Sequence, residues 1–244
     1  LLDGAQTVQT LVNTIDDLGM DSVALTEHGN MFSVIPYYKS AKKAGVKPII
    51  GCETYVAVGS RFDKKPRSDG GWGNNHLVLL AQNYTGYRNL MKLVTYGYLD
   101  GFYYRPRVDI DLLKEHNEGI ICLSGCLKGE VTEKMLKDDW DGAKEAALRF
   151  AEIFENRFYL EVQNHGIPDE VKNIQNMKKL AGELNLPLVC TNDAHYAKHE
   201  HWEAHDVHIC LGTGKDRNDP NRLRYATPEF YFKTQDQMYE MFKD

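Results

Sequence analysis

The stretch Val23-Ala24-Leu25-Thr26-Glu27-His28-Gly29-Asn30 places a short apolar run directly before polar side chains. The same succession of an apolar run and then His, Glu, Cys or Asp returns at 48–53, 120–126, 158–166 and 188–195. Short apolar runs bounded by turn residues are typical of buried β-strands. Segments with helical spacing separate most of these runs. The alternation predicts an α/β fold with a parallel sheet, and so many units favour a barrel over an open sheet.

The positions of the individual elements follow from the same periodicity. Strands are expected near 23–25, 48–56, 76–80, 120–123, 158–162 and 188–190. Helices are expected at 8–18, 35–45, 90–94, 143–154 and 171–184, with a last one ending near 242. Gly19 and Gly45 follow two of these helices as stop signals.

The composition narrows the class of protein. The 244 residues fit one large domain, and a hydrophobic content of 42% is enough for a core. No apolar run approaches the roughly 20 residues of a membrane span, and the first residues do not resemble a signal peptide. A net charge of −6 argues against a domain that clamps duplex DNA by itself, because that task needs a basic surface. The odd number of cysteines, 5, favours a reducing cytoplasm over a disulfide framework.

Side chains at the strand ends indicate a metal centre. In an α/β barrel the carboxyl ends of the strands meet at one mouth, where active sites form. His28, Glu53, Cys126, Asp193 and His195 follow such strands. Imidazole and thiolate suit zinc, and carboxylates admit manganese or iron. Asp193 and His195 lie two apart on an extended chain, so both can reach one ion. Paired cations of this kind commonly serve phosphoester hydrolysis.

Each of these residues taken alone also has a structural explanation. His28 fits a capping histidine, Glu53 fits a solvated strand end, and Cys126 fits a small buried hydrophobe. The shared placement at strand ends is what favours the metal centre over these explanations.

Another group of histidines offers a different metal hypothesis. His201, His205 and His208 share one face of a helix, as in zinc-binding helices. The pattern is not His-Glu-x-x-His, and the group lies beyond the last strand end. We interpret it as a polar helix face.

One long loop is expected at 59–75. It carries Arg61, Lys64, Lys65 and Arg67 and then a glycine-rich run from Asp69. Loops of this length without their own structure are usually functional or mobile.

Taken together, these motifs resemble the PHP (polymerase and histidinol phosphatase) domain of the bacterial DNA polymerase III alpha subunit. The resemblance covers essentially the whole chain in order. The motifs that carry it are Leu1-Leu2-Asp3-Gly4-Ala5, Thr26-Glu27-His28-Gly29-Asn30, Lys47-Pro48-Ile49-Ile50-Gly51-Cys52-Glu53, His76-Leu77-Val78-Leu79-Leu80-Ala81, Thr85-Gly86-Tyr87-Arg88-Asn89-Leu90, Gly101-Phe102-Tyr103-Tyr104-Arg105-Pro106-Arg107, Leu123-Ser124-Gly125-Cys126, Gln163-Asn164-His165-Gly166 and Thr191-Asn192-Asp193-Ala194-His195-Tyr196.

The resemblance implies a fold and a ligand set. The fold is a distorted (β/α)7 barrel of the PHP type, with residues 1–244 as a single domain of a longer polymerase chain. A cluster of two to three Zn²⁺ or Mn²⁺ ions is expected in the intact domain. By matching position, the metal ligands are Asp3, His28, Glu53, His76, Cys126, Asp193 and His195. His76 rests on the resemblance alone. Glu27 stands where the family usually has Asp, and we expect it to support the ligands rather than bind metal.

The resemblance also implies catalytic residues and one departure. His28, Asp193, His195 and His165 are expected to be catalytic, and Arg105 and Arg107 are expected to contact substrate phosphate. Solvated loop arginines are the alternative. The family begins with a strand that carries His-x-His, and this segment is absent from the chain. We therefore expect the first barrel strand and its two ligands to be missing here.

Three functions are then open. The first is a metal-dependent 3′–5′ exonuclease that proofreads the DNA 3′ end. The second is a structural domain that stabilises the polymerase and docks a separate proofreading subunit. The third is a small-molecule phosphoesterase, which the polymerase-type stretches at 85–90 and 101–107 argue against. The expected partners are the DNA 3′ end, the remaining polymerase domains and other replisome subunits in the cytoplasm, with no membrane.

Overall fold

A computed structural model describes residues 3–66 and 73–243 of the chain. Its strands form one sheet in the order β1-β2-β3-β5-β6-β7, with the short β4 paired to β2. The strands are β1 Ser22–Leu25, β2 Lys47–Ala57, β3 Asn74–Ala81, β4 Arg107–Val108, β5 Ile120–Leu123, β6 Phe158–Val162 and β7 Leu188–Cys190. The predicted α/β fold and its strands are thus confirmed, and the sheet curls into an open half-barrel.

Helices connect most of these strands and cover the outer face of the sheet. They are α1 Val8–Asp17, α2 Val34–Lys43, α3 Tyr84–Leu99, α4 Ile110–Glu115, α5 Glu130–Leu136, α6 Trp140–Phe154, α7 Pro168–Leu184, α8 Trp202–Thr213 and α9 Gln235–Phe242. Short side-chain caps begin several of them, as when Asp109 accepts a hydrogen bond from the Leu112 amide at the start of α4. No helix within the described residues is both long and apolar enough to span a membrane.

The expectation of a parallel sheet is wrong for one strand. β3 runs antiparallel to both β2 and β5, whereas β1 with β2, β5 with β6 and β6 with β7 are parallel. The cause is the connection between β2 and β3. It contains no crossover helix among its described residues, and a parallel pair needs such a crossover. The predicted loop at 59–75 is this connection; Arg67 and residues 68–72 lie outside the described part.

Two apolar cores hold the half-barrel together. The larger one lies between the sheet and helices α3, α6 and α7, where Leu79, Leu90, Phe154 and Leu160 are fully buried. The smaller one joins α1 and α2 to the region of β1 through residues such as Ile15 and Tyr37. All five cysteines are free thiols, as the composition predicted.

The two edges of the sheet are β1 and β7. A cavity of about 790 Å³ opens between them, and its wall includes Val23, Leu25, Leu123, Glu161 and Val189. Parallel strands are normally covered on both faces, yet no residue of β1 or β7 is fully buried. The strand that the resemblance implies ahead of Leu1 stays a prediction. The polar residues that follow the strands lie at one end of this cavity, and this end is the candidate site.

Gly86 packs so closely against a neighbouring backbone that a larger residue would not fit, and Gly182 offers a matched control. A Cβ added to Gly86 in α3 would lie 1.7 Å from the carbonyl oxygen of Gly119, whereas one added to Gly182 in α7 meets nothing within 4 Å. We expect Gly86→Ala to lower the free energy of unfolding by about 2–3 kcal/mol through overpacking. Gly182→Ala should raise it by up to about 1 kcal/mol through helix propensity. Urea denaturation of both variants measures this, and equal effects would contradict the packing described.

Candidate metal centre

Two groups of ligand-type side chains meet at the mouth of the cavity and share one residue. Asp3, His28 and His195 form one group, and His28, Glu53 and His76 form the other. Within each group the ligand atoms lie within 4.8 Å of one another. His28 therefore stands at the junction, where its Nε2 is 3.1 Å from Asp3 Oδ2 and its Nδ1 is 3.6 Å from Glu53 Oε2.

The backbone around β1 and β2 delivers the first ligands. The pairing of β1 with β2 continues past the strand end, because the Gly29 amide donates to the Glu53 carbonyl and the Glu53 amide donates to the Glu27 carbonyl. This continuation sets His28 opposite Glu53 as an isolated bridge. The Glu27 carboxylate accepts hydrogen bonds from the amide and hydroxyl of Ser33. Glu27 thus holds the loop after β1, consistent with the supporting role expected for it.

The antiparallel β3 brings the next ligand from the opposite direction. His76 pairs with Tyr55 in the ladder between β2 and β3, and its Nδ1 contacts the Glu53 carboxylate. Cys126 follows β5, and its Sγ is 3.7 Å from His76 Nδ1. Gly125 next to it has a φ of +85°, a backbone conformation that favours glycine. The turn after β5 therefore points the thiol at the second group.

The strand end after β7 supplies Asp193 and His195. The Nδ1 of His195 donates to the carbonyl oxygen of Asp193 at 3.1 Å and lies 3.5 Å from its carboxylate. This bond fixes the imidazole tautomer and leaves Nε2 as the free lone pair, an arrangement typical of metal-binding histidines. All seven residues that the resemblance assigned to metal are thus gathered at one end of the sheet.

The donor set fits a divalent cation. Ligands around a tetrahedral zinc ion lie about 3.3–3.7 Å from one another, close to the separations measured between His28, Asp3, Glu53, His76 and Cys126. The Nδ1 of His28 is moreover buried without a hydrogen-bond partner among the described residues. A buried polar atom normally has a partner, and a cation would supply one. The residues present therefore suit zinc or manganese.

The electrostatics of the site also favour positive charge. Burial alone would lower the pKa of His28, but the carboxylates of Asp3 and Glu53 outweigh it and raise that pKa to about 9. Burial also opposes ionisation of Asp3 and Glu53, yet their contacts with histidines hold both pKa values below the ordinary range. Burial raises the pKa of Asp193. In the absence of metal, protonated His28 neutralises part of this carboxylate cluster.

His165 does not reach the open part of the site, which corrects its expected catalytic role. Its side chain is fully buried, and both ring nitrogens are engaged. Nδ1 donates to Glu170 at 2.9 Å, and Nε2 accepts a hydrogen bond from the Asp193 amide at 3.2 Å. The ring stacks on Phe230 at 4.2 Å between centroids. His165 therefore positions the backbone of Asp193 and cannot contact substrate phosphate.

The two arginines predicted to bind phosphate separate in the structure. Arg107 is 2% exposed, and its guanidinium donates to the carbonyl oxygens of Gly101, Arg61 and Asp63. It is a structural residue, so its predicted contact with substrate is wrong. Arg105 is exposed, and its guanidinium lies 5.6 Å from the centre of the Tyr55 ring, which in turn contacts His76 at 5.2 Å. Arg105 alone remains a candidate for phosphate.

Three residues near the centre were not identified from the sequence as part of it. His205 points inward from α8 and donates to the Asp3 carbonyl oxygen, so the interpretation of its helix face as merely polar is wrong. Tyr225 packs its ring 4.8 Å from that of His195. Glu161 lies on β6, where strand alternation could have placed it beside Gln163 on the cavity side. The spacing of His205 with His201 and His208 was a signal in the sequence, whereas Tyr225 carries none.

Glu161 supports the turn that holds Cys126. Its carboxylate accepts hydrogen bonds from the Gly125 amide, Gln163 and the Thr191 hydroxyl. Its side chain is only 3% exposed. Burial, aided by Glu53 and opposed by the bond from Thr191, raises the pKa of Glu161 from 4.5 to about 7.

This raised pKa predicts that the free energy of unfolding depends on pH when the protein is kept metal-free with a chelator. A carboxyl whose pKa is higher in the folded state binds its proton more tightly there, so its stabilising effect is full below about pH 4.5. The effect is lost as the pH rises through about 7. Relative to Glu161→Gln, wild type should therefore lose free energy of unfolding between these values. Denaturation at both pH values measures the difference, and parallel curves for the two proteins would contradict a raised pKa.

Comparisons with known proteins identify the family of this chain. The family model described as "PHP domain" matches residues 1–165. The chain is 46% identical over 244 residues to the DNA polymerase III subunit alpha of Borreliella burgdorferi, covering 100% of this chain and 21% of that protein. It is also 46% identical over 243 residues to the Treponema pallidum protein of the same name, covering 99% of this chain and 21% of that one. The chain thus spans about a fifth of these relatives.

A solved structure aligns with most of this chain at low sequence identity. An amidohydrolase from Chromobacterium violaceum aligns with 79% of this chain and 83% of its own, at 11% identity and a TM-score of 0.44. The family assignment rests on the sequence match, which covers more than half of the chain. On that match, the chain belongs to the PHP domain family.

Proposed function

We propose that this chain is the PHP domain of a bacterial replicative DNA polymerase and hydrolyses phosphodiester bonds at a DNA 3′ end. The observation that carries the proposal is the meeting of His28, Glu53 and His76 with Asp3 and His195 around one mouth. The alignment of the full chain with DNA polymerase III alpha subunits supports the replicative setting. We assign residues 1–244 to one domain that acts in the cytoplasm beside the other polymerase domains and replisome subunits.

The proposed roles follow from the contacts of each side chain. Asp3, His28, Glu53, His76, Cys126, Asp193 and His195 would be this chain's ligands in a centre that holds two to three Zn²⁺ or Mn²⁺ ions in the intact domain. Bound cations of this kind supply an acidified water and neutralise charge on a phosphodiester. Arg105 would orient a substrate phosphate through its two-pronged guanidinium. His165 and Glu170 hold the Asp193 backbone in place, and Glu161 holds the turn of Cys126.

A primer-degradation assay tests the proposal. The chain is incubated with Mn²⁺ or Zn²⁺ and an oligonucleotide labelled at its 5′ end, in parallel with excess chelator. We expect stepwise shortening from the 3′ end that the chelator abolishes. Asp193→Asn should reduce the rate by more than about tenfold. Residues that only support metal ligands already contribute about tenfold or more to activity, and a ligand should contribute at least as much. Asp16→Asn, which changes an exposed carboxylate on α1, is the matched control and should have no effect.

Other outcomes would assign other functions. Bound metal without any shortening of the 3′ end would contradict the exonuclease and favour a structural domain that docks a proofreading subunit. Hydrolysis of small phosphomonoesters with no action on the oligonucleotide would favour a small-molecule phosphoesterase.

A further inference from the structure

Three exposed aromatic side chains form a continuous surface next to the metal centre. Phe32 is 63% exposed, Tyr98 is 39% exposed and Phe102 is 50% exposed. The ring centroids of Phe32 and Tyr98 are 6.3 Å apart, and those of Tyr98 and Phe102 are 6.2 Å apart. We call these three residues the aromatic patch. Contiguous apolar side chains left in solvent commonly mark an interaction site.

The patch is tied directly to the loop that carries His28. Phe32 lines the same cavity as His28 and Glu53. The Phe32 amide donates to Asn30 Oδ1 at 3.0 Å, and Asn30 Nδ2 donates to the His28 carbonyl at 3.0 Å. On the other side, Glu27 holds Ser33. The exposed ring of Phe32 is thus held in solvent by a loop fixed at both ends, rather than left there by a mobile segment.

Positive charge borders the other end of the patch. Lys64 Nζ donates to the Phe102 carbonyl at 2.9 Å, and exposed Lys65 follows it in the chain. Exposed Arg105 lies three residues beyond Phe102, with its guanidinium over the Tyr55 ring. The nearby carboxylate of Asp100 lies 3.9 Å from the Arg61 guanidinium, whose closer partner is Asp109 at 2.9 Å. Cations therefore adjoin the aromatic rings in a chain whose net charge is −6.

From this geometry we infer that the aromatic patch binds the unpaired bases of a single nucleic-acid strand whose backbone enters the metal centre. The inference rests on the proposed phosphodiesterase function. Aromatic faces stack on any base, so they hold a strand without selecting its sequence, and adjacent cations meet its phosphates. A duplex hides its base faces and needs a broad basic surface. An apolar protein surface would bring no negative charge to the neighbouring Lys64 and Arg105, whereas a nucleic-acid strand brings phosphates.

A binding assay that is independent of catalysis tests the inference. A fluorescent single-stranded oligonucleotide of mixed sequence is titrated with the chain, in chelator to prevent hydrolysis, and anisotropy is recorded. The test variant combines Phe32→Ala, Tyr98→Ala and Phe102→Ala. We expect its affinity to fall by about tenfold or more, since each stacked base is worth roughly 1–3 kcal/mol. The control combines Tyr84→Ala and Tyr239→Ala, which remove exposed aromatic rings at the start of α3 and in α9, and should bind like wild type.

The outcomes separate this inference from the proposed function. Equal affinity of wild type and the triple variant, or no binding by wild type, would overturn the inference. Sedimentation that shows a wild-type dimer and a monomeric triple variant would also overturn it, because the patch would then join two copies. Hydrolysis of a chromogenic phosphodiester by wild type tests the proposed function separately. If thermal unfolding shows that the triple variant is not folded, the binding test is repeated with the single variant Phe102→Ala, because the ring of Phe102 is half exposed.

Discussion

Replacement of His28 by Gln is expected to abolish metal-dependent hydrolysis, with a rate more than about 100-fold below wild type. His28 is the residue common to both ligand groups, so its loss weakens each of them at once. Outer partners of metal ligands alone contribute about 10–100-fold, and a shared ligand should exceed that. The variant should also bind fewer equivalents of Mn²⁺ or Zn²⁺. Metal analysis after gel filtration and the primer-degradation rate measure both effects.

The matched control is His201→Gln. His201 lies just before α8, outside both ligand groups, and its replacement changes the same chemical group. We expect unchanged metal content and rate. If His28→Gln retained full metal content, the assignment of His28 to the metal centre would be incorrect.

Replacement of Arg107 by Met is expected to destabilise the fold, whereas the same change at Arg105 should not. The buried guanidinium of Arg107 satisfies three backbone carbonyls from two segments of the chain. Buried acceptors left without a donor are costly, so the free energy of unfolding should fall by about 3 kcal/mol. Arg105→Met changes an exposed side chain and should stay within about 0.5 kcal/mol of wild type. Chemical denaturation of the two variants measures the contrast.

The same pair of variants separates structure from substrate binding. Arg105→Met should raise KM for an oligonucleotide, because its exposed guanidinium lies over the Tyr55 ring, which in turn contacts His76. A stable, folded Arg107→Met protein with a raised KM would support the prediction from the sequence that Arg107 contacts substrate phosphate. It would contradict the structural role that its buried contacts indicate.

Local patterns accounted for most of the elements. The apolar runs that predicted β1, β2, β3, β5, β6 and β7 all became strands, because a run of buried residues bounded by turns leaves the chain few other conformations. The two-residue β4 was missed, since so short a segment has no periodicity of its own. Tyr231, outside every predicted strand, forms an isolated bridge to Tyr196.

The direction of β3 shows where local patterns stop. Nothing in residues 76–80 distinguishes a parallel from an antiparallel strand, because direction depends on the connection and on the neighbours. That direction has a consequence for the site. Running against β2, β3 brings His76 beside Tyr55 in the ladder and its Nδ1 against Glu53. This direction explains how His76, which resemblance alone had proposed as a ligand, reaches the candidate site.

By itself the sequence determined the α/β class, the strand positions and the placement of ligand-type side chains at the strand ends. These features are encoded locally, by periodicity and by residue type. The tertiary structure alone decided which polar side chains face the mouth. It buried His165 and Arg107, turned His205 inward and left Arg105 in solvent. The physical reason is that burial and hydrogen-bond partners depend on segments far apart in the chain, and a local pattern of residues carries no record of them.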